Sequence, residues 1–480
     1  MKKGLTLSAI ALLFCANWAF AQQPSIQYHR SWDKDGINVF EPSKKAEQPE
    51  YTGFKIRIGG SFTQDFQSLK HENLALYSKN AKTPKDIRNT NFLYGVGTAY
   101  TPAAPKDTTV WILNGSDSTS TTLSGFNLAM ANLNLDMQIG DGIRVCLENY
   151  MSARHHNEFW VKGGYIQFDK LPMFGSPKWF TDYMRVKIGH FQPNFGDMQF
   201  RRSDGGNTMY NPFVENLIFD AFTTEIGGEV YVFPADGFMG MVGLTSGFIN
   251  GNIDNYPATA ITPKVEPDEK KPSLILKLAY DKTFNDFRFR LSGSMYNNTG
   301  SARNTLYAGD RTGSHYFMVM EQAIAPSNSG NTAATSLANK DSGRFTSLGV
   351  NNKIFAVSIN PFIKYKGLEL FGSYETIKGR TNFEREGTDR KFNQVAVEGL
   401  YRFLKNEQAY VGARYIRATG TPQNYTSEIE ITRLAVAAGW FPTKNLLLKG
   451  EWVSQEYLNF TDYRDGGKFG GFVVEAVIGF

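Results

Sequence analysis

The chain has 480 residues, of which 41% are hydrophobic, 20% charged and 14% aromatic, with 46 Gly, 19 Pro and 2 Cys. The formal net charge is +5, or +3 once Lys2 and Lys3 leave with a leader, too little to argue for nucleic acid. After the leader no apolar run is long enough for a transmembrane helix, and the charge is too mixed for a disordered polymer. Abundant Gly and aromatics with almost no Cys suit an all-β protein that does not rely on disulfides. At about 150 residues per domain the length allows three domains, but a large barrel takes the same length as one unit.

The first element is an export signal over residues 1–21. Lys2 and Lys3 precede an apolar run from Leu5 to Phe14, and Ala19-Phe20-Ala21 forms an A-x-A site before Gln22. Phe14 is too bulky for a lipid-attachment box at Cys15, so the mature chain keeps Cys146 alone and has no intrachain disulfide. Residues 22–52 carry Pro24, Pro42 and Pro49 and show no sustained period. They read as a periplasmic N-terminal arm, flexible or loosely docked.

From residue 53 the period is two. Phe54-Lys55-Ile56-Arg57-Ile58 places apolar residues on one face and cations on the other. The pattern returns in Met184-Arg185-Val186-Lys187-Ile188, in Phe287-Arg288-Phe289-Arg290-Leu291 and in Phe472 to Phe480. About sixteen such segments follow one another. They lie near 53–66, 125–139, 142–154, 158–168, 183–191, 223–233, 238–249, 273–281, 286–297, 353–365, 367–377, 392–404, 408–418, 428–441, 445–457 and 468–480. Short turns, such as Asp141-Gly142 and Lys366-Gly367, alternate with long stretches, such as 67–124, 192–222 and 298–352. The exceptions are a short connection at 155–157 and a long one at 169–182.

Short turns at one end and long loops at the other describe a transmembrane antiparallel β-barrel over residues 53–480. Each segment of ~9–13 residues is long enough to cross a bilayer when tilted. The sheet must close, because lipid offers no partner for an open edge. Aromatics near segment ends fit interfacial girdles: Tyr150, Phe168, Tyr183, Tyr280, Tyr365, Tyr415, Trp440, Phe441, Trp452 and Tyr457. Phe480 shares a face with Phe472, Val474, Ala476 and Ile478, and a terminal aromatic on an alternating strand resembles the assembly signal of bacterial outer-membrane barrels.

Parity assigns the lumen. The inward cations are Lys55, Arg57, Arg144, Lys162, Arg185, Lys187, Lys277, Arg288, Arg290, Lys364, Arg402, Arg414, Arg433 and Lys449. The inward acids are Asp136, Glu148, Glu225, Glu229, Glu369, Glu375, Glu398, Glu451 and Glu475. A cation facing lipid would cost ~2–4 kcal/mol at the midplane, so these charges line water. Sixteen strands are too many for side chains alone to fill, which predicts an aqueous channel. Lys55, Arg57, Arg185, Lys187, Arg288 and Arg290 form a path favouring anions, or pair with nearby glutamates and stiffen the wall. The loop 192–222 holds Arg201 and Arg202 beside Asp197 and Asp204, and either folds inward as a constriction or caps the outside.

Val186-Lys187-Ile188-Gly189-His190-Phe191-Gln192-Pro193-Asn194-Phe195-Gly196 resembles the strand ending in Gly-x-Phe, followed by Pro and Phe-Gly, of the phosphate-selective porin O and P type of bacterial porin. Here the Pro stands one place earlier. The resemblance implies a sixteen-stranded barrel, a homotrimer and an inward-folded third loop. It does not imply phosphate, because that family's arginine ladder and lysine cluster do not map onto this chain.

The remaining motifs carry no chemistry. Adjacent His155 and His156 point apart, and Glu158 leaves them without a third metal ligand. Gly95-x-Gly97 lacks a strand–helix unit, and Asn297-x-Thr299 is uninformative in a bacterial loop. No catalytic residues, metal site or cofactor are assigned, and the chain reads as a non-enzyme. The expected function is an outer-membrane porin of a Gram-negative bacterium with modest anion preference. Its expected partners are outer-membrane lipid and lipopolysaccharide, small hydrophilic solutes or anions, and two further copies of itself. The alternative is a barrel subunit of a larger outer-membrane assembly, with the arm or the loop 298–352 docking partner proteins.

Overall fold

A computed structural model describes residues 23–72, 121–152, 159–203, 208–246, 271–301, 304–310, 312–317, 319–320, 342–346, 348–381, 384, 387–423, 425–462 and 464–480. The export signal, His155, His156, Gly95 and Gly97 lie outside the described residues. Sixteen strands follow in chain order. They are β1 Lys55–Glu72, β2 Thr121–Gly140, β3 Ile143–Ser152, β4 Trp160–Phe168, β5 Met184–Phe191, β6 Glu225–Val232, β7 Phe238–Thr245 and β8 Ser273–Phe284. The second half comprises β9 Phe287–Asn298, β10 Lys353–Tyr365, β11 Leu368–Arg380, β12 Arg390–Phe403, β13 Ala409–Gly420, β14 Ile429–Thr443, β15 Leu446–Leu458 and β16 Lys468–Gly479.

Every strand pairs antiparallel with its neighbours in sequence, and β1 pairs with β16 to close the barrel. The closing register runs from Ser61 opposite Gly479 to Glu72 opposite Lys468. Phe480 completes it: its N–H donates to Gly60 O at 3.1 Å, and its carbonyl accepts from Gly60 N at 3.0 Å. β1 continues to Glu72, past the expected end at 66, because Gln67 to His71 pair with both neighbours even though the outward Ser68 and Lys70 are polar. Among the described residues no helix is long and apolar enough to cross a membrane.

Parity predicts the facing of the wall. Phe54, Ile56, Ile58, Phe62 and Phe66 are exposed outward, as are Val395, Val397, Val436, Phe472, Val474 and Ile478. An apolar exterior this continuous needs lipid around it rather than water. Tyr183, Tyr365, Tyr415, Trp440 and Trp452 also face outward, as girdle residues do. Tyr150, Phe441 and Tyr457 instead point inward and are buried. Tyr457 packs on Phe460 and Phe469, and Phe441 shares an apolar cluster with Met209 of the loop 192–222 and Ile37 of the arm.

The short turns rest on local chemistry. Gly142 adopts φ of 70°, where a Cβ would stand 2.5 Å from Lys170 Cβ, so the Asp141-Gly142 hairpin requires glycine. The long connection 169–182 forms a helical turn at Pro172–Phe174, and a helix at Lys178–Tyr183 follows it.

Candidate functional site

Three segments enter the barrel. The first is the arm, whose described residues 23–52 sit within the short-turn end. Gly59 leaves the space that the Trp32 ring occupies: a Cβ there would stand 2.1 Å from Trp32 Cδ1. Trp32 Nε1 donates to Asp136 Oδ2 at 3.1 Å, and His29 Nε2 meets the same oxygen at 3.2 Å. The Gln138 amide donates to Gln27 Oε1 at 2.6 Å, and Lys34 N donates to Lys444 O at 2.9 Å. Lys44 Nζ lies 3.3 Å from Asp169 Oδ1. Burial pulls the Lys44 ammonium down to about 8 against the opposing pull of Asp169. Burial alone would raise the Glu41 carboxyl, but Arg290 and Lys277 overcome it and hold the group at about 2. The arm is thus docked by buried polar contacts rather than held loosely.

The second segment is the loop 192–222. Its backbone is tied to inward side chains of distant strands. Asn194 N donates to Glu229 Oε1 at 2.6 Å, Val214 N to Glu451 Oε2 at 2.8 Å and Phe219 N to Gln394 Oε1 at 2.8 Å. Lys449 Nζ donates to the carbonyls of Thr208, Asn211 and Phe213 at 2.9–3.1 Å. These inward groups satisfy backbone that would otherwise be buried unpaired. Asp197 receives Arg290 through two oxygens, at 2.8 and 2.9 Å, and Lys277 at 2.8 Å.

The third segment comprises the described parts of 304–350. Phe345 N donates to Ile218 O at 3.0 Å, which joins this segment to the loop 192–222. Arg344 reaches Glu215 at 3.0 Å and Asp220 at 3.1 Å. His315 N donates to Glu215 Oε2 at 2.8 Å, and its Nδ1 lies 2.5 Å from Glu475 Oε1 and 3.6 Å from Asp65 Oδ2. Burial would lower His315, but Glu475, Asp65 and Glu215 together raise it. The three segments and the inward wall share one apolar cluster, which includes Phe40, Phe195, Phe219, Tyr316, Phe345, Phe392 and Val473. The lumen therefore differs from the wide aqueous cylinder that strand number alone implies. The loops bring in apolar side chains to fill what the wall cannot.

Inside, most cations meet acids. Arg201 is buried; its Nη2 lies 2.8 Å from Glu398 Oε2, and its Nη1 donates to Asn38 of the arm at 2.5 Å. Arg202, also buried, lies 2.6 Å from Asp220 and 3.6 Å from Asp310. Arg185 pairs with Asp169 at 2.8 Å, and Arg288 pairs with Asp281 at 2.7 Å. Arg290 binds Asp197 and Glu41, both at 2.8 Å. Lys187 stands 3.8 Å from Glu229. Lys55 Nζ donates to Ser25 O at 3.2 Å near the rim, and Arg57 has no ion pair among the described residues. The structure thus pairs Arg202 and Arg290 with acids of the arm and loops and pairs Arg201 and Arg288 with the wall acids Glu398 and Asp281, while Lys55 and Arg57 stand apart from these pairs.

Sequence reasoning missed several of those acids. Asp65 shares the polar parity of Ser61 and Thr63 and was legible. Glu41, Asp169, Glu215 and Asp220 lie in aperiodic segments, where no spacing signals a partner.

No family model and no curated protein matches the chain. Among solved structures it is similar to the anion-selective porin from Comamonas acidovorans, at 10% identity and a TM-score of 0.49, covering 89% of this chain and all of that one. It is also similar to the outer membrane channel DcaP of Acinetobacter baumannii, at 11% identity and a TM-score of 0.46, covering 91% of this chain and all of that one. A third is OmpT, an outer membrane protein of Vibrio cholerae, at 10% identity and a TM-score of 0.45, covering 91% and 100% of the two chains. The strand count of the barrel rests on its own register.

Proposed function

We propose that the chain is an outer-membrane porin of a Gram-negative bacterium. It passes small hydrophilic solutes and ions by passive diffusion, with a modest preference for anions, phosphate among them. The observation that carries this reading is a closed sixteen-strand sheet with an apolar exterior and a charged interior. Such a sheet satisfies its backbone only when it surrounds its own polar face and lipid meets the other. The docked arm and loops narrow the passage, so conductance is small. Anion preference comes from inward Arg and Lys that keep accessible surface, Lys55, Arg57 and Lys187 first. The exterior binds outer-membrane lipid and lipopolysaccharide, and the protein assembles as a homotrimer.

Planar-bilayer recording of the purified protein tests the reading. The expected result is stepwise ohmic current with reversal potentials favouring chloride and phosphate over potassium. Cation preference would overturn the charge assignment, and a silent but correctly folded barrel would overturn the channel.

A further inference from the structure

A cavity of about 180 Å³ lies between the arm, the loop 192–222 and the wall built by β3, β4 and β5. Most cations that line it are neutralised: Arg144 by Asp136 at 2.6 Å, Arg185 by Asp169 at 2.8 Å and Arg202 by Asp220 at 2.6 Å. Two lining cations make no hydrogen bond to a carboxylate. Arg30, from the arm, donates only to the carbonyls of Gly36 and Phe200, at 2.8–3.0 Å, and no carboxylate of the described residues lies within 4.0 Å. Lys187, from β5, stands 3.8 Å from Glu229, beyond hydrogen-bond range. Glu229 already accepts from Asn194 N and from the Tyr231 hydroxyl, both at 2.6 Å. The Lys187 ammonium instead lies over the rings of Phe191 and Tyr165, 4.1 and 4.5 Å from their centroids.

A partly desolvated cation without a hydrogen-bonded counter-charge is costly, so the cavity favours an occupant that supplies one. Trp32, Phe200 and Tyr210 join the two rings under Lys187, with Arg30 lying 3.9 Å from the Tyr210 centroid, and polar groups such as Gln167, Gln192 and Gln199 complete the lining. One acid on the lining, Glu148, has no cation within 4.0 Å among the described residues and opposes an anion.

We propose that this cavity is a binding site for a small aromatic carboxylate, with its carboxylate toward Lys187 and Arg30 and its ring on the aromatic lining. The inference rests on the channel reading and names the solute class that the channel holds longest. The site is incomplete without the arm, which supplies Arg30 and Trp32.

Calorimetric titration of the detergent-folded protein with benzoate, benzyl alcohol and benzylammonium separates charge from shape. Saturable benzoate binding is expected, at least tenfold tighter than benzyl alcohol, with benzylammonium weakest. Lys187→Gln and Arg30→Gln should each weaken benzoate about tenfold, and Glu148→Gln should tighten it. Absence of benzoate binding, equal binding of the alcohol, or preference for benzylammonium would overturn the proposal on the unmodified protein alone. Unchanged benzoate affinity in both cation variants would overturn it too. Chloride conductance of the same preparation separates the two readings: binding without conductance defeats the channel, and conductance without binding defeats this site.

Discussion

Asp197→Asn probes how firmly the loop 192–222 is held inside the barrel. Asp197 is fully buried and receives two bonds from Arg290 and one from Lys277, all within 2.9 Å. Removing one member of a buried pair costs about 3–5 kcal/mol, because the partner charge stays behind. Glu41 still faces both cations, at 2.8 and 3.1 Å, so the lower end of about 3 kcal/mol applies. The barrel ladder is untouched, so the loss falls on loop docking and raises the undocked population roughly 150-fold. Single-channel recording should show frequent transitions to a larger conductance, while unheated gel mobility stays that of a folded barrel. A folded variant with the conductance and gating of the unmodified protein would refute the claim that this network holds the loop. Acid provides a second route to the same network. Glu41 is held at about 2 against an ordinary 4.5, so its contribution is present above about pH 4.5 and is lost as the pH falls through about 2. Large-conductance events should grow over that window.

Two further outcomes follow from the same interior. Replacing Arg201 and Arg202 with Ala leaves Glu398 to Arg414 and Asp220 to Arg344, so the passage becomes more negative. Reversal potentials should shift toward cations, and unchanged permeability ratios would show that neither arginine borders the path. His315 faces Glu475, Asp65 and Glu215, with Lys449 on the far oxygen of Glu475, and its raised value makes it a latch for the segment 304–320. Its contribution is full below about pH 6.5 and is lost as the pH rises through the higher folded value. Alkaline conductance should therefore increase in the unmodified protein, and His315→Gln should abolish that increase.

The wall was legible because strand geometry imposes a period of two on any segment with one face in lipid. Met184-Arg185-Val186-Lys187-Ile188 could not alternate otherwise without burying charge in hydrocarbon. The inward cations followed from the same parity, down to Arg414 and Lys449. The girdle failed at Tyr150, Phe441 and Tyr457, which share the parity of the inward Glu148, Arg433 and Lys449, because an aromatic is welcome on the inner face once the lumen is packed.

Patterning along the chain suffices for the strand segments, their order and the inward charges, since each of these is decided by neighbours in sequence. Only the tertiary structure decided what fills the barrel. Arg201 finds Asn38 across 163 residues, and Val214 finds Glu451 across 237. Each such contact involves at least one segment without a period, and the pairing depends on where the closed wall brings it, so no local pattern encodes it.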